Sequence, residues 1–250
     1  MQGFWRVVDG KAGPLRIYET PAFTSAASSA LVVLCHELPR EPDRATDAGS
    51  GYPALAERLS EECASRVIVP MLRGTSGSAG DFSAGGWLED LVTVADAEVG
   101  LDGTLWLIGF GFGGAIALRT AARDQRVRGV ASIAGPADLT AWVAHHERIL
   151  DRCRRSGVIS TEGFPPDVDD WVAQIVALAP LDAVSRLGNR TLLVVHGSDD
   201  AEVPVAAARA LADAATDGPV DLRIVPGAGH WLRADPRVVA TLVGWIERHR

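Results

Sequence analysis

Lysine is almost missing from this 250-residue chain. Lys11 is the only one, so nearly all the positive charge is carried by arginine, and the net charge is −8. An acidic protein of this kind is not expected to bind nucleic acid or anionic membranes nonspecifically. Long apolar runs are missing too. No window approaches 18 uninterrupted apolar residues, which argues against a membrane-spanning helix. The opening "MQGFWRVVDG" lacks the basic-then-apolar order of a secretory signal. Cysteine is scarce: Cys35, Cys63 and Cys153 are too few and too scattered for a disulfide framework or a zinc site. A cytoplasmic protein without metal or other cofactor is the expectation. The richness in Ala, Gly, Val and Arg suggests a high-GC bacterial genome.

What is present is a strict alternation of strand and helix patterns. "WRVVDG" and "PLRIYETPAF" predict an antiparallel hairpin. "ALVVLCHE" (30–37), "RVIVPMLRG" (66–74), "TLWLIGF" (104–110), "VRGVASIAG" (127–135), "TLLVVHG" (191–197) and "VDLRIVPG" (220–227) are apolar strand runs. Between and after them lie helical spacings over 52–65, 85–100, 113–124, 204–216 and 235–249. Alternating β and α predicts one α/β domain, a mostly parallel sheet with helices on both faces. Residues 136–190 break the alternation with two helical patterns, "ADLTAWVAHHERILDRCRRSG" and "DVDDWVAQIVALAPLDAVSRL", joined by "VISTEGFPP". Placed between two strands, this insertion is expected to form a small helical lid over a pocket; a lateral insertion or a dimer surface is the simpler alternative. Its Trp142, Phe164 and Trp171 are expected to pack, with one or two of them facing the pocket. The basic run Arg148, Arg152, Arg154 and Arg155 is expected to be a solvated helix face, and His145 and His146 are expected to be solvated.

The most telling absence is a single side chain. "LWLIGFGFGGAIAL" (105–118) runs from strand through a glycine-dense turn into helix. As a dinucleotide fingerprint, Gly109, Gly111 and Gly114 match weakly: the unit sits mid-chain, and the next acidic residue, Asp138, comes late and after a proline. As a G-x-S-x-G elbow, Gly109 and Gly113 are the flanking glycines, and Gly111 stands where a nucleophilic serine belongs. Downstream, "HGSDDAEVP" ends a strand with Asp199 and Asp200, and "VPGAGHWLRADP" follows the next strand with His230. Acid then histidine, each at the carboxyl end of a strand, is the order a Ser-His-Asp hydrolase of this sheet class uses.

With these segments the chain resembles the α/β-hydrolase family over nearly its whole length. "VVLCHELP" is similar to the family's strand and oxyanion loop, usually H-G-x. "RGTSGSAGDFS" is similar to its R-G-x-G-x-S-x-G loop, "HGSDDAEVP" to H-G-x-x-D-x-x-V-P, and "GAGH" to the histidine loop. The resemblance implies a twisted sheet of about eight strands, a core domain over 1–135 and 191–250, and a lid over 136–190. It assigns the acid to Asp200, with Asp199 as the neighbouring alternative, and the base to His230. It places Gly111 at the vacant nucleophile position and the oxyanion donors at the amides of Phe112 and Leu38. His36 and His196 match structural positions and are expected to be satisfied in the core.

Gly111 has no oxygen, so a covalent acyl-enzyme cannot form there. Loss of such a nucleophile can cost about 10⁶-fold in turnover. Cys35, Ser76 and Ser78 are the substitutes weighed, and a packed thiol and turn hydroxyls are the simpler readings. Glu37 stands beside Leu38 where the family usually has glycine. Its carboxylate is expected to face solvent or an arginine; facing inward it would oppose an oxyanion, or serve as a second acid/base beside His230. Three functions follow: a non-catalytic relative that binds a small molecule or a protein; an enzyme using a His–Asp dyad without covalent catalysis, as a general-base hydrolase, lyase or oxygenase; or an ester or amide hydrolase whose serine was removed by mutation. Oligomeric state is open, a homodimer included.

Overall fold

The computed structural model describes residues 2–22, 31–39, 51–99 and 103–249. The expected strand ends at Phe23 and Ala30 and the helix end at Gly100 lie outside these residues. Eight strands form one sheet: β1 (Phe4–Gly10), β2 (Gly13–Glu19), β3 (Leu31–Cys35), β4 (Arg66–Pro70), β5 (Leu105–Phe110), β6 (Val127–Ile133), β7 (Thr191–Gly197) and β8 (Val220–Val225). Their spatial order is β1-β2-β4-β3-β5-β6-β7-β8. β1 pairs antiparallel with β2, as does β2 with β4, and every pairing from β4 through β8 is parallel.

The continuous apolar runs have a simple cause: both faces of the sheet are covered. Leu31, Val33 and Cys35 of β3 face one core; Val32 and Leu34 face the other. The first core packs under α2 (Ala84–Val99) and α3 (Phe112–Arg123). The second packs under α1 (Tyr52–Cys63) and the closing helix, where Trp106 meets Trp245 edge-on at 4.9 Å between centroids.

The segment between β6 and β7 holds four helices, α4 (Thr140–Val143), α5 (His146–Ser156), α6 (Val168–Val176) and α7 (Pro180–Ser185). Two further helices complete the chain, α8 (Ala206–Ala214) and α9 (Pro236–His249). Each of the two helical patterns expected in the insertion is therefore split. Pro180 explains one break, because its ring cannot continue the helix that ends at Val176, and the intervening Ala179 takes φ 36°. Trp171 is fully buried and donates its indole N–H to the Phe82 carbonyl at 3.0 Å, tying the insertion to the core. Among the described residues, no helix is long and apolar enough to cross a membrane.

At the hairpin end of the sheet, Arg6 and Arg66 each pair with both Glu19 and Glu98. Burial pushes the Glu19 pKa up, but hydrogen bonds from Arg66 and Arg6 outweigh it and hold the pKa below its ordinary value of 4.5. This stabilisation is complete above the ordinary value and is lost as pH falls through the folded one. Glu19→Gln should therefore cost about 2 kcal/mol at neutral pH. Denaturant titrations at successive pH values should show the gap between variant and parent closing in acid. A gap that stays constant with pH would remove the network from the account.

Candidate active site

Four strand ends build the site. β3 leads to Glu37, β5 to Gly111, β7 to Asp200 and β8 to His230. The turn after β5 is tight because glycine allows it. At Gly109 an added Cβ would lie 2.2 Å from the Gly113 carbonyl oxygen, and at Gly113 one would lie 2.3 Å from that of His36. Gly111 itself has φ 51° and ψ −122° and immediately precedes α3. Glycine takes this positive φ freely, whereas a residue with a side chain would be strained there.

The acid and histidine loops are stitched together. The Asp199 amide donates to the Ala228 carbonyl at 2.9 Å, and the Gly227 amide donates to Ser198 Oγ at 2.8 Å. Asp200 Oδ1 accepts the amides of Glu202 and Val203, both at 2.9 Å, while its Oδ2 lies 2.8 Å from His230 Nδ1. Asp199 is instead exposed and accepts the Ser198 hydroxyl at 2.6 Å. Of the two neighbouring carboxylates, Asp200 is the one beside the imidazole.

The other ring nitrogen does not face an open pocket. His230 Nε2 lies 2.9 Å from Glu37 Oε1. The Glu37 backbone is fixed at both ends: its N–H donates to Tyr52 Oη at 3.1 Å, and its carbonyl accepts from His36 Nδ1 at 2.9 Å. The Leu72 amide donates to His36 Nε2 at 3.1 Å, so the proton of that ring is on Nδ1. Burial lowers the His36 pKa to about 4 despite the neighbouring Glu37, and the ring stays neutral. Held this way, Glu37 directs its side chain at Gly111. A Cβ on Gly111 would meet Glu37 Cγ, Cδ and Oε1, each at 2.9 Å. The carboxylate thus sits where an elbow side chain would project, at the positive end of α3, which favours negative charge.

The expectation that Glu37 turns to solvent is corrected here. Its side chain is 11% exposed and points inward, because an imidazole and a helix N-terminus both attract it. Both ring nitrogens of His230 thus lie within hydrogen-bond distance of carboxylate oxygens.

The crevice here is lined by Glu37, Tyr52, Phe110, Gly111, Ile133 and the run His230–Arg233, with a volume of about 10 Å³. That is room for one water at most. Trp142, Phe164 and Trp171 do not line it. Trp142 stacks on Phe112 with ring centroids 5.7 Å apart, Trp171 is buried against Phe82, and Phe164 is half-buried against the same core. Apolar burial, rather than ligand contact, explains all three. The Phe112 amide opens α3 and Leu38 is buried beside Glu37, as the motif register places them. Cys35 is fully buried and burial pushes its thiol pKa up, while Ser78 Oγ is engaged with the Met71 carbonyl and the Arg16 amide. Ser76 is buried in the same turn with φ 47°.

His36 is satisfied, as expected. His196 is satisfied only in part: Nε2 lies 2.9 Å from the Val203 carbonyl and 3.2 Å from Asp200, and buried Nδ1 has no partner. Donation from Nε2 leaves Nδ1 as a bare lone pair in an apolar wall. Arg233 was not singled out by the sequence, although its place three residues after His230 puts it on the same loop. Among the described residues, no group of three or more His, Cys, Asp or Glu could hold a metal ion.

Comparison with known proteins accords with this fold. The model of the "Alpha/beta hydrolase family" matches residues 32–242. Among curated proteins no sequence matches. A thermophilic esterase from Thermogutta terrifontis superposes with TM-score 0.67 at 22% identity, covering 100% of both chains. XC6422 from Xanthomonas campestris, described as a serine hydrolase without lid, superposes with TM-score 0.61 at 22% identity, covering 100% of this chain and 94% of its own. Est1E from Butyrivibrio proteoclasticus gives 0.69 at 16% identity, covering 98% and 96%. At such identities these likenesses speak for the fold. Together with the family match over most of its length, they show that the chain belongs to the alpha/beta hydrolase family.

Proposed function

We propose that this family member has given up serine-based acyl transfer and binds a small molecule at the mouth of its crevice, with α4–α7 as a lid beside it. One observation supports this best: Glu37 Oε1 stands 2.9 Å from His230 Nε2 and 2.9 Å from where a Gly111 side chain would begin. The histidine that would activate a serine is engaged by a carboxylate of the same chain. Substitution of serine 111 alone would not have supplied that glutamate, which weighs against a hydrolase disabled at one position. Neither nucleic acid nor membrane is part of this reading.

The test is chemical. A fluorophosphonate probe should leave the protein unlabelled, and activated esters should give no acyl-enzyme burst. A stoichiometric adduct on Cys35, Ser76 or Ser78 would overturn the reading. A second reading is favoured by the 2.9 Å contact between Glu37 and His230. That pair could act as a non-covalent acid/base on a bound substrate. It would require turnover that Glu37→Gln abolishes without loss of the fold.

A further inference from the structure

The two edges of the sheet are not alike. β8 closes one side with Asp221 and Arg223, which pair with each other at 3.2 Å, and charges on an edge discourage a further strand from adding. β1 closes the other side with apolar residues in the open: Val7 is 55% exposed, Phe4 49% and Trp5 43%. Trp5, Val7 and Asp9 alternate along the strand and so share one face. On that face Arg16 of β2 holds its guanidinium carbon 4.7 Å from the Trp5 ring centroid, and Asp9 stands exposed at the far end.

The register determines which backbone groups this edge offers. Val7 stands opposite Arg16, and the Arg16 backbone faces away from β1: its carbonyl accepts from the Met71 amide at 2.8 Å, and its N–H donates to Ser78 Oγ at 2.9 Å. Residues opposite each other in an antiparallel pair turn their N–H and C=O groups either both toward or both away from one another. The N–H and C=O of Val7 therefore point out of the sheet, and by alternation so do those of Trp5 and Asp9. Among the described residues β1 has no second neighbouring strand. An antiparallel strand added here would satisfy all three residues at once.

We propose that β1 pairs antiparallel with β1 of a second copy of this chain, about a twofold axis at Val7. The strand is self-complementary in that register. Val7 meets Val7 of the second copy and Trp5 meets its Asp9, giving about six backbone hydrogen bonds between the chains. Asp9 of the second copy then arrives beside the ring over which Arg16 lies, acid to base, and symmetry repeats the contact. On the opposite face Arg6 stands against Val8 of the second copy. An axis at Arg6 would set two like charges directly opposite each other. An axis at Val8 would move Trp5 off the strand and against the turn at Lys11. The pairing does not depend on what happens in the crevice.

Analytical ultracentrifugation of the full chain is the test. The parent should dimerise with a dissociation constant in about the micromolar range. Val7→Lys and Val7→Glu change an exposed side chain, so each should keep the circular dichroism spectrum of the parent. Each should weaken the dimer at least about tenfold, because like charges then face each other across the axis. Mixing the two variants should restore the dimer, since unlike charges then meet. Asp9→Arg should also weaken it, by bringing a cation up to Arg16. The proposal is overturned by a parent that stays monomeric at about 100 µM. It is equally overturned by a dimer that Val7→Lys or Asp9→Arg leaves unchanged, or by a mixture of the two Val7 variants that stays monomeric.

Discussion

Glu37→Gly combined with Gly111→Ser should yield a serine esterase, at least about 10²-fold more active than the parent on p-nitrophenyl acetate, whereas Gly111→Ser alone should yield little. Serine at 111 needs three things: a base, an orienting acid and room. His230 and Asp200 already stand 2.8 Å apart, and the Phe112 amide already opens α3. Room is what is missing, because the new Cβ would lie 2.9 Å from three atoms of Glu37. The far end of a side chain can swing, so Gly111→Ser should fold. It should nonetheless lose about 2 kcal/mol from backbone strain at φ 51°. A displaced Glu37 would still bring negative charge toward the oxyanion and compete for the His230 proton. Removing Glu37 clears both obstacles. Addition of His230→Ala to the double variant should abolish the gain. If Gly111→Ser alone matches the double variant, Glu37 is not the block. If the double variant is folded but inert, the vacant elbow is not a preserved hydrolase site.

The relation of Glu37 to Gly111 shows where sequence reading stopped. The sheet was legible because buried parallel strands must be apolar on both faces, and Leu31–Cys35 and Leu105–Phe110 are. Gly111, Asp200 and His230 could be placed because motif register fixes positions along the chain. A side chain's direction is not set by register. Glu37 turns inward because Tyr52 and His36 pin its backbone, and both contacts join segments far apart or a ring whose tautomer depends on Leu72. The paired departures, glutamate where the family usually has glycine and glycine where it has serine, were each visible. That one fills the space left by the other needed three dimensions. Trp142 and Trp171 failed as pocket candidates for a related reason: an aromatic on an inserted helix has the same sequence signature whether it lines a cavity or closes a core.

The same site carries the largest expected loss of stability. The Asp200 carboxylate is inaccessible to solvent and is surrounded by donors: two backbone amides at 2.9 Å on Oδ1, His230 at 2.8 Å and His196 at 3.2 Å on Oδ2. Asp200→Ala would leave the Glu202 and Val203 amides without their acceptor. It would also leave the His230–Glu37 pair short of one negative charge in a closed crevice. Breaking a buried, hydrogen-bonded charge cluster by removing one partner costs about 3–5 kcal/mol, and Asp200→Ala should fall in that range in chemical denaturation. Asp200→Asn is the informative companion. Its amide oxygen can still accept the two backbone N–H groups, but its NH₂ faces His230 Nδ1 and cannot accept from it. About half the loss should therefore return, and the histidine should change tautomer, with a shift of its ring ¹⁵N resonances. A loss below about 1 kcal/mol for Asp200→Ala, or identical losses for the two variants, would show that the carboxylate is not what holds the acid loop, the histidine loop and Glu37 together.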